Sequence, residues 1–219
     1  MNDKARKGGN AHGTTARAAA KRRAGSVTSK TRHTILRSAE QIMIEQGYAA
    51  VTYRSVAARA EVTPGLVQYY FPVLDDLFIA LLRADTDRII DRLTQATRDG
   101  RPLRAVWHYA SNKAGTTLML EFMALANHRK SIGPVMGEGG ERVRQAQLAA
   151  LTAAGDRYQV PPQALAFLLT AIPRMISLEE AFGTVTGHAE TTALIRQFLD
   201  KAEPPARMTD DPVRRHPQG

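Results

Sequence analysis

The chain has 219 residues, no cysteine, and 30 Lys plus Arg against 21 Asp plus Glu. Without cysteine there is no disulfide framework, no thiolate metal site of the zinc-finger kind and no cysteine nucleophile, while the length suffices for one or two domains with a sizeable core. Residues 1–60 hold 12 Lys plus Arg and 3 Asp plus Glu, whereas residues 61–219 hold 18 of each, so the excess sits at one end, where it suits a polyanionic partner or simply a solvated basic tail.

Residues 1–30 consist mostly of Ala, Gly, Thr and basic side chains, too little apolar surface to offset ordering, and are expected to be a disordered basic arm. No apolar run follows the basic start, so a secretory signal is not expected. The longest apolar stretch, Ala164 to Ile172, is too short to cross a bilayer. The expectation is a soluble, cytoplasmic protein with no membrane partner.

From Thr31 the apolar spacing becomes helical. Ile35, Leu36, Ala39, Ile42 and Met43 recur at three- and four-residue steps, and Gly47 ends the stripe. Thr52 caps a short second helix that turns Val56, Ala57 and Ala60 inward. Thr63 caps a third with Pro64 at its first position, where the missing N–H costs nothing, and Phe71-Pro72 ends it. A long helix follows from about Val73 to Asp99, then helices from Pro102 to Ser111, Gly115 to Lys130 and Val143 to Ala154. The Gly137–Glu141 run, GEGGE, reads as a flexible loop between the last two. Pro161-Pro162 opens an apolar helix running to Phe182 that Pro173 should kink or break, and His188 to Leu199 is the last. Residues 203–219 are Pro-rich and charged, and are expected to be a flexible tail. The fold class is all-α.

Three short helices with a tight turn between the last two form a helix-turn-helix pattern, whose final helix can enter the major groove of DNA. Its capped N-terminus directs free N–H groups at phosphate. At these residues the run from Thr34 to Leu82 resembles the DNA-binding domain of the TetR (tetracycline-repressor-like) family. The resemblance rests on Gly47-Tyr48, Thr52, Val56-Ala57, Ala60, Val62-Thr63, Gly65, Phe71 and Leu77, in order and at the family's spacing. Four positions depart from the family pattern: Glu61 stands for its turn Gly, Gln68 for a Tyr, Tyr70 for a His and Leu74 for a Lys. Glu61 then occupies a site that often needs a left-handed backbone, at about 1 kcal/mol.

The resemblance implies a helix-turn-helix DNA-binding domain over 31–76 and a larger helical ligand-binding and dimerisation domain over 77–202. Carried over by position, Thr52 and Arg54 meet phosphate, and Arg32 adds a basic contact where the arm ends. Thr63, Pro64, Gly65, Gln68 and Tyr69 face the groove, and Tyr70 reaches the DNA backbone. Gln68 can read adenine with its amide where the family's Tyr would reach for phosphate. Tyr69 and Tyr70 also fit plain half-buried packing.

The resemblance also implies a ligand pocket in the C-terminal helices, for which Trp107, Met119, Phe122, Met123, Asn127, Phe167 and Met175 are the candidates. Such residues at helical spacing equally form ordinary core. Asn127 and His128 would need partners if buried, though His128 beside Arg129-Lys130 also fits a solvated helix end. The apolar 164–182 segment and the last helix suit a two-fold dimer through Leu168, Ile172, Phe182, Ile195, Phe198 and Leu199. The function implied is a ligand-responsive transcriptional repressor. It binds a palindromic operator as a homodimer and is released by a small apolar effector, helix four being the lever. The competing class is a non-specific architectural protein that uses only the basic arm. No HExxH, P-loop or GxSxG is present, so no enzyme, cofactor or metal is expected.

Overall fold

The computed structural model describes residues 30–153 and 158–204. The expected basic arm, except Lys30, the end of the helix at Ala154 and the tail beyond residue 204 lie outside the described residues. Helix α1 spans 30–46, and the five side chains of its apolar stripe are buried. Gly47, at φ +85°, turns the chain out of it and donates its N–H to the Met43 carbonyl. A short 3-10 turn, Tyr48–Ala50, leads to α2 (Tyr53–Ala60) and α3 (Pro64–Tyr70). Then come α4 (Leu74–Arg98), α5 (Pro102–Ala110), α6 (Lys113–His128), α7 (Ile132–Thr152), α8 (Pro162–Ala181) and α9 (His188–Ala202). Every regular element among the described residues is helical, and no single one of these helices is long and apolar enough to cross a membrane.

Two expected interruptions of helix do not occur. The glycine-rich run Gly137–Glu141 is not a loop but the middle of α7, which begins at Ile132 rather than Val143. Glycine lowers helix propensity by about 1 kcal/mol, but tertiary contact outweighs it. A Cβ on Gly139 would stand 2.8 Å from Thr86 Oγ1, so only glycine lets α7 lie against α4 there. Ile132, fully buried, anchors the start of the helix. Nor does Pro173 break α8, which continues as helix to Ala181 with Pro173 buried.

The chain divides into two compact units. One runs from α1 to Thr86 and takes in Thr117–Gly139; the other holds Asp87–Thr116 and the chain from Gly140 onward. The helix-turn-helix thus shares a core with Leu77, Phe78 and Leu81 of α4, Leu118, Phe122 and Leu125 of α6, and Ile132. Helices α6 and α7, like α4, belong to both units, so α4 is not the sole link between them.

In the first unit, polar contacts add to this core. Glu121 Oε2 accepts the Tyr48 N–H at 2.7 Å, and the Tyr48 ring stacks on His128 at 6.1 Å. Asp75, at the start of α4, accepts from Arg129 and from the Ser131 hydroxyl in the loop before α7. The second unit centres on Leu93, Leu103, Val106, Leu151, Ala166 and Leu169, with α5 packed against α8. Glu203, expected in the flexible tail, is only 3% exposed. Its carboxylate accepts the Leu103 and Arg104 N–H groups, at 2.8 and 3.0 Å, and the Tyr158 hydroxyl at 2.8 Å. A buried anion thereby satisfies the open donors and favourable dipole at the start of α5.

Two outcomes follow from these anchors. Glu203→Ala removes the acceptor of two helix donors and one contact of the Tyr158 hydroxyl, and should cost about 2 kcal/mol in urea unfolding. The Ser131 hydroxyl holds the Asp75 carboxyl below its ordinary value, burial opposes this, and Arg129 lowers it further. Because the folded value is depressed, the stabilisation is full above the unfolded pKa of about 3.9 and is lost as pH falls through the lower folded one. Unfolding followed from pH 7 to pH 2 should therefore show Asp75→Asn losing less stability with acid than the parent chain; identical slopes would remove Asp75 from this role.

Candidate nucleic-acid interface

Helix α2 starts on a reciprocal cap. Ser55 N donates to Thr52 Oγ1 at 3.1 Å, and Thr52 N donates to Ser55 Oγ at 2.9 Å. It ends where Glu61 adopts the left-handed conformation, φ 54° and ψ 43°, with the Val62 N–H returned to the Ala57 carbonyl at 3.0 Å. The turn that the family pattern builds on glycine is thus made here by glutamate, with the strain that a Cβ imposes. Thr63 Oγ1 then accepts the Leu66 N–H at 3.3 Å, with Pro64 at the first helical position of α3.

This geometry turns α3 so that Val67 is fully buried while Thr63, Pro64, Gly65, Gln68 and Tyr69 are exposed. Tyr69 is 76% exposed, a large aromatic surface open to solvent. Tyr70 is half-buried and meets Tyr69 edge-on, the ring centroids 5.4 Å apart. Thr52 and Arg54 are exposed at the start of α2, and Arg32 is exposed on α1, its guanidinium 5.2 Å from the Phe71 ring centroid. All nine DNA-binding candidates belong to one unit, eight of them exposed.

One residue of this region carries a role that spacing alone did not reveal. The Tyr53 hydroxyl lies 3.1 Å from the Phe71 carbonyl and 3.0 Å from the Pro72 carbonyl. It ties the first residue of α2 to the link between α3 and α4, and so helps set the angle at which α3 is presented. Burial raises its pKa, and the nearby Asp76 carboxylate adds to the rise, so it stays a donor at neutral pH. The only sequence signal was an aromatic beside the Thr52 cap.

The other candidates scatter. Met119 is half-buried, Phe122 is buried in the first unit, and Met123 and Asn127 are exposed there, as is His128. Trp107 is buried in the core of the second unit, whereas Phe167 and Met175 are exposed on α8. Of the dimer candidates, Leu168 and Phe182 are exposed, Ile172 and Phe198 half-buried, and Ile195 and Leu199 buried in their own unit. Val185 and Leu194 are further exposed apolar residues of the α8–α9 region.

Residues 35–81 match the family model described as bacterial regulatory proteins, tetR family. The HTH-type transcriptional regulator HbdR of Aromatoleum sp. (strain CIB) is 32% identical over 92 residues, which are 39% of this chain and 39% of HbdR. The chain thus matches well under half of that relative's length. A TetR transcription regulator from Haloarcula marismortui superposes with a TM-score of 0.61 at 20% identity, over 78% of this chain and 97% of the other. Reduced E. coli NemR gives 0.61 at 19% identity, over 77% and 97%. At these identities the two structures speak for the fold alone.

Glu61 supplies a direct test of the turn. Glu61→Gly removes the left-handed strain, in part offset by the greater freedom of unfolded glycine, and should stabilise by about 0.5–1 kcal/mol. A urea midpoint at or below that of the parent chain would mean the turn is not strained.

Proposed function

The chain belongs to the TetR family of bacterial regulatory proteins, and from that premise we propose that it is a DNA-binding transcriptional regulator, a repressor that binds a palindromic operator as a homodimer and leaves it when a small molecule binds. The observation that carries this reading is the one-sided burial of α3. Val67 anchors the helix while Thr63, Pro64, Gly65, Gln68 and Tyr69 stay open beside its capped N-terminus. In that arrangement the free N–H groups and the dipole favour phosphate, and Gln68 can offer its amide to an adenine edge. Arg54 supplies charge without sequence information.

DNA binding is assigned to α1–α3, and ligand binding and dimerisation to the helices beyond. Exposed Leu168, Met175, Phe182, Val185 and Leu194 support a second copy as the cover for the α8–α9 region, since this one stretch of chain holds five large apolar side chains open to water. A two-fold dimer presents two α3 helices and selects a palindrome. Release requires an effector that prefers one of two states. Helices α4, α6 and α7 each pass through both units, so continuous helices can carry that preference, with α4 as the lever nearest α3 in the chain.

Selection of bound duplexes from a random library by the full chain should return a two-fold symmetric site. On that site Gln68→Ala should relax one base position, while Arg54→Ala should weaken all duplexes alike and lower the salt slope by about one unit. Recovery of no preferred sequence would favour an architectural role for the basic arm. Equal losses for both variants on every duplex would remove Gln68 from base reading.

A further inference from the structure

The second unit buries a polar seam that the assigned roles do not use. Arg144 and Gln147 lie one turn apart on α7, as do Phe167 and Thr170 on α8. The Arg144 guanidinium stands 5.9 Å from the Phe167 ring centroid, and Gln147 Nε2 donates to Thr170 Oγ1 at 3.2 Å. Gln147 is 1% and Thr170 4% exposed, so the seam runs into the core. Arg144 Nη1 is shut off from solvent and has no hydrogen-bond acceptor among the described residues.

Three other arginines of the unit have acceptors: Arg104 at Asp200 and the Glu203 carbonyl, Arg142 at Asp87, and Arg174 at the Tyr109 hydroxyl. Glu141, one turn before Arg144 on α7, is engaged too, accepting from Gln145 Nε2. A guanidinium cannot shed its charge. A sealed nitrogen without an acceptor therefore keeps its desolvation cost, which stacking on Phe167 offsets only in part.

We propose that Arg144, with Gln147, Thr170 and Phe167, forms the binding site for a small monocarboxylate that has an apolar body. This rests on the reading of the chain as a small-molecule-responsive regulator, and it names the effector class. The planar guanidinium fork matches a carboxylate, and one cation beside the neutral Gln147 amide balances one negative charge rather than a phosphate dianion. The Thr170 hydroxyl, which donates to the Ala166 carbonyl at 2.6 Å, accepts from that amide and orients it. Phe167 is 61% exposed, so its ring can turn aside to admit the ligand and then pack on the apolar body without opening a hole in the core.

The test uses the full chain, with hexanoate and benzoate as probes and hexanol and benzyl alcohol as neutral counterparts, at matched ionic strength. At least one carboxylate at about 10 mM should raise the Tm by about 3 °C, and the alcohols should not. Arg144→Gln should abolish the rise, and Arg144→Lys should weaken affinity about fivefold by losing the fork. If Arg144→Gln does not fold, the lysine variant carries the test, together with Gln147→Leu, which leaves the charge in place and should weaken the carboxylate by about threefold. No response to either carboxylate, an equal response to the alcohols, or full binding by the variants overturns the proposal. So does a variant whose sole defect is a weaker dimer, since a second copy then supplies the acceptor. A carboxylate that binds through Arg144 yet leaves the selected DNA site occupied upholds the site and refutes ligand-induced release.

Discussion

A seven-residue helix has no stability of its own in water, because the cost of nucleating a turn is recovered only over about twelve or more residues. Helix α3 is such a helix, and the proposed function depends on it being rigid. Its order is borrowed. Thr63 closes the N-terminal end, the left-handed Glu61 fixes the approach from α2, Val67 is sunk in the core, and Tyr53 holds the carbonyls of the exit. Because so much is fixed from behind, the front face can remain polar and open without the helix fraying. Preorganisation of this kind is what a base-reading surface needs, since ordering it on binding would subtract from affinity.

The core behind α3 is wider than a three-helix domain. Parts of α4, α6 and α7 close it, and the contacts that join them are polar as well as apolar. Glu121 reaches the backbone at Tyr48 just past α1, and Asp75 gathers Arg129 and Ser131 at the start of α4. Buried apolar contact tolerates small slides, whereas hydrogen bonds to a backbone N–H or a guanidinium set position within tenths of an ångström. Side chains from α6 and the loop that follows it therefore hold the two ends of the helix-turn-helix region. In the second unit Glu203 does the same for α5, and the seam at Arg144 is a place where that logic is left incomplete among the described residues.

The local elements were legible because their signals are local. The α1 stripe with its terminal glycine, the two threonine caps and Pro64 each act within four or five residues, and the helices they mark lie close to where spacing put them. The glycines of α7 misled for the complementary reason. Intrinsic propensity is a per-residue tendency, and the contact that overrides it comes from Thr86, far away in the chain. Glu203 reads as tail because nothing near it in sequence reveals that its acceptors' partners sit about a hundred residues earlier. The Met and aromatic residues of α6 share helical spacing, yet spacing cannot say which side of a helix is covered, and Phe122 is buried while Met123 is open.

By itself, then, the sequence determined the helical class, the order of elements, the family resemblance and the face of α3 that stays polar, all consequences of periodicity and capping over short ranges. Only the tertiary structure decided that α6 and α7 share the helix-turn-helix core, that Tyr53 and Glu203 act as anchors, and that Arg144 Nη1 is sealed from solvent without an acceptor among the described residues. Each of these depends on groups far apart in the chain meeting at hydrogen-bond or van der Waals distance, and one-dimensional spacing carries no record of such meetings.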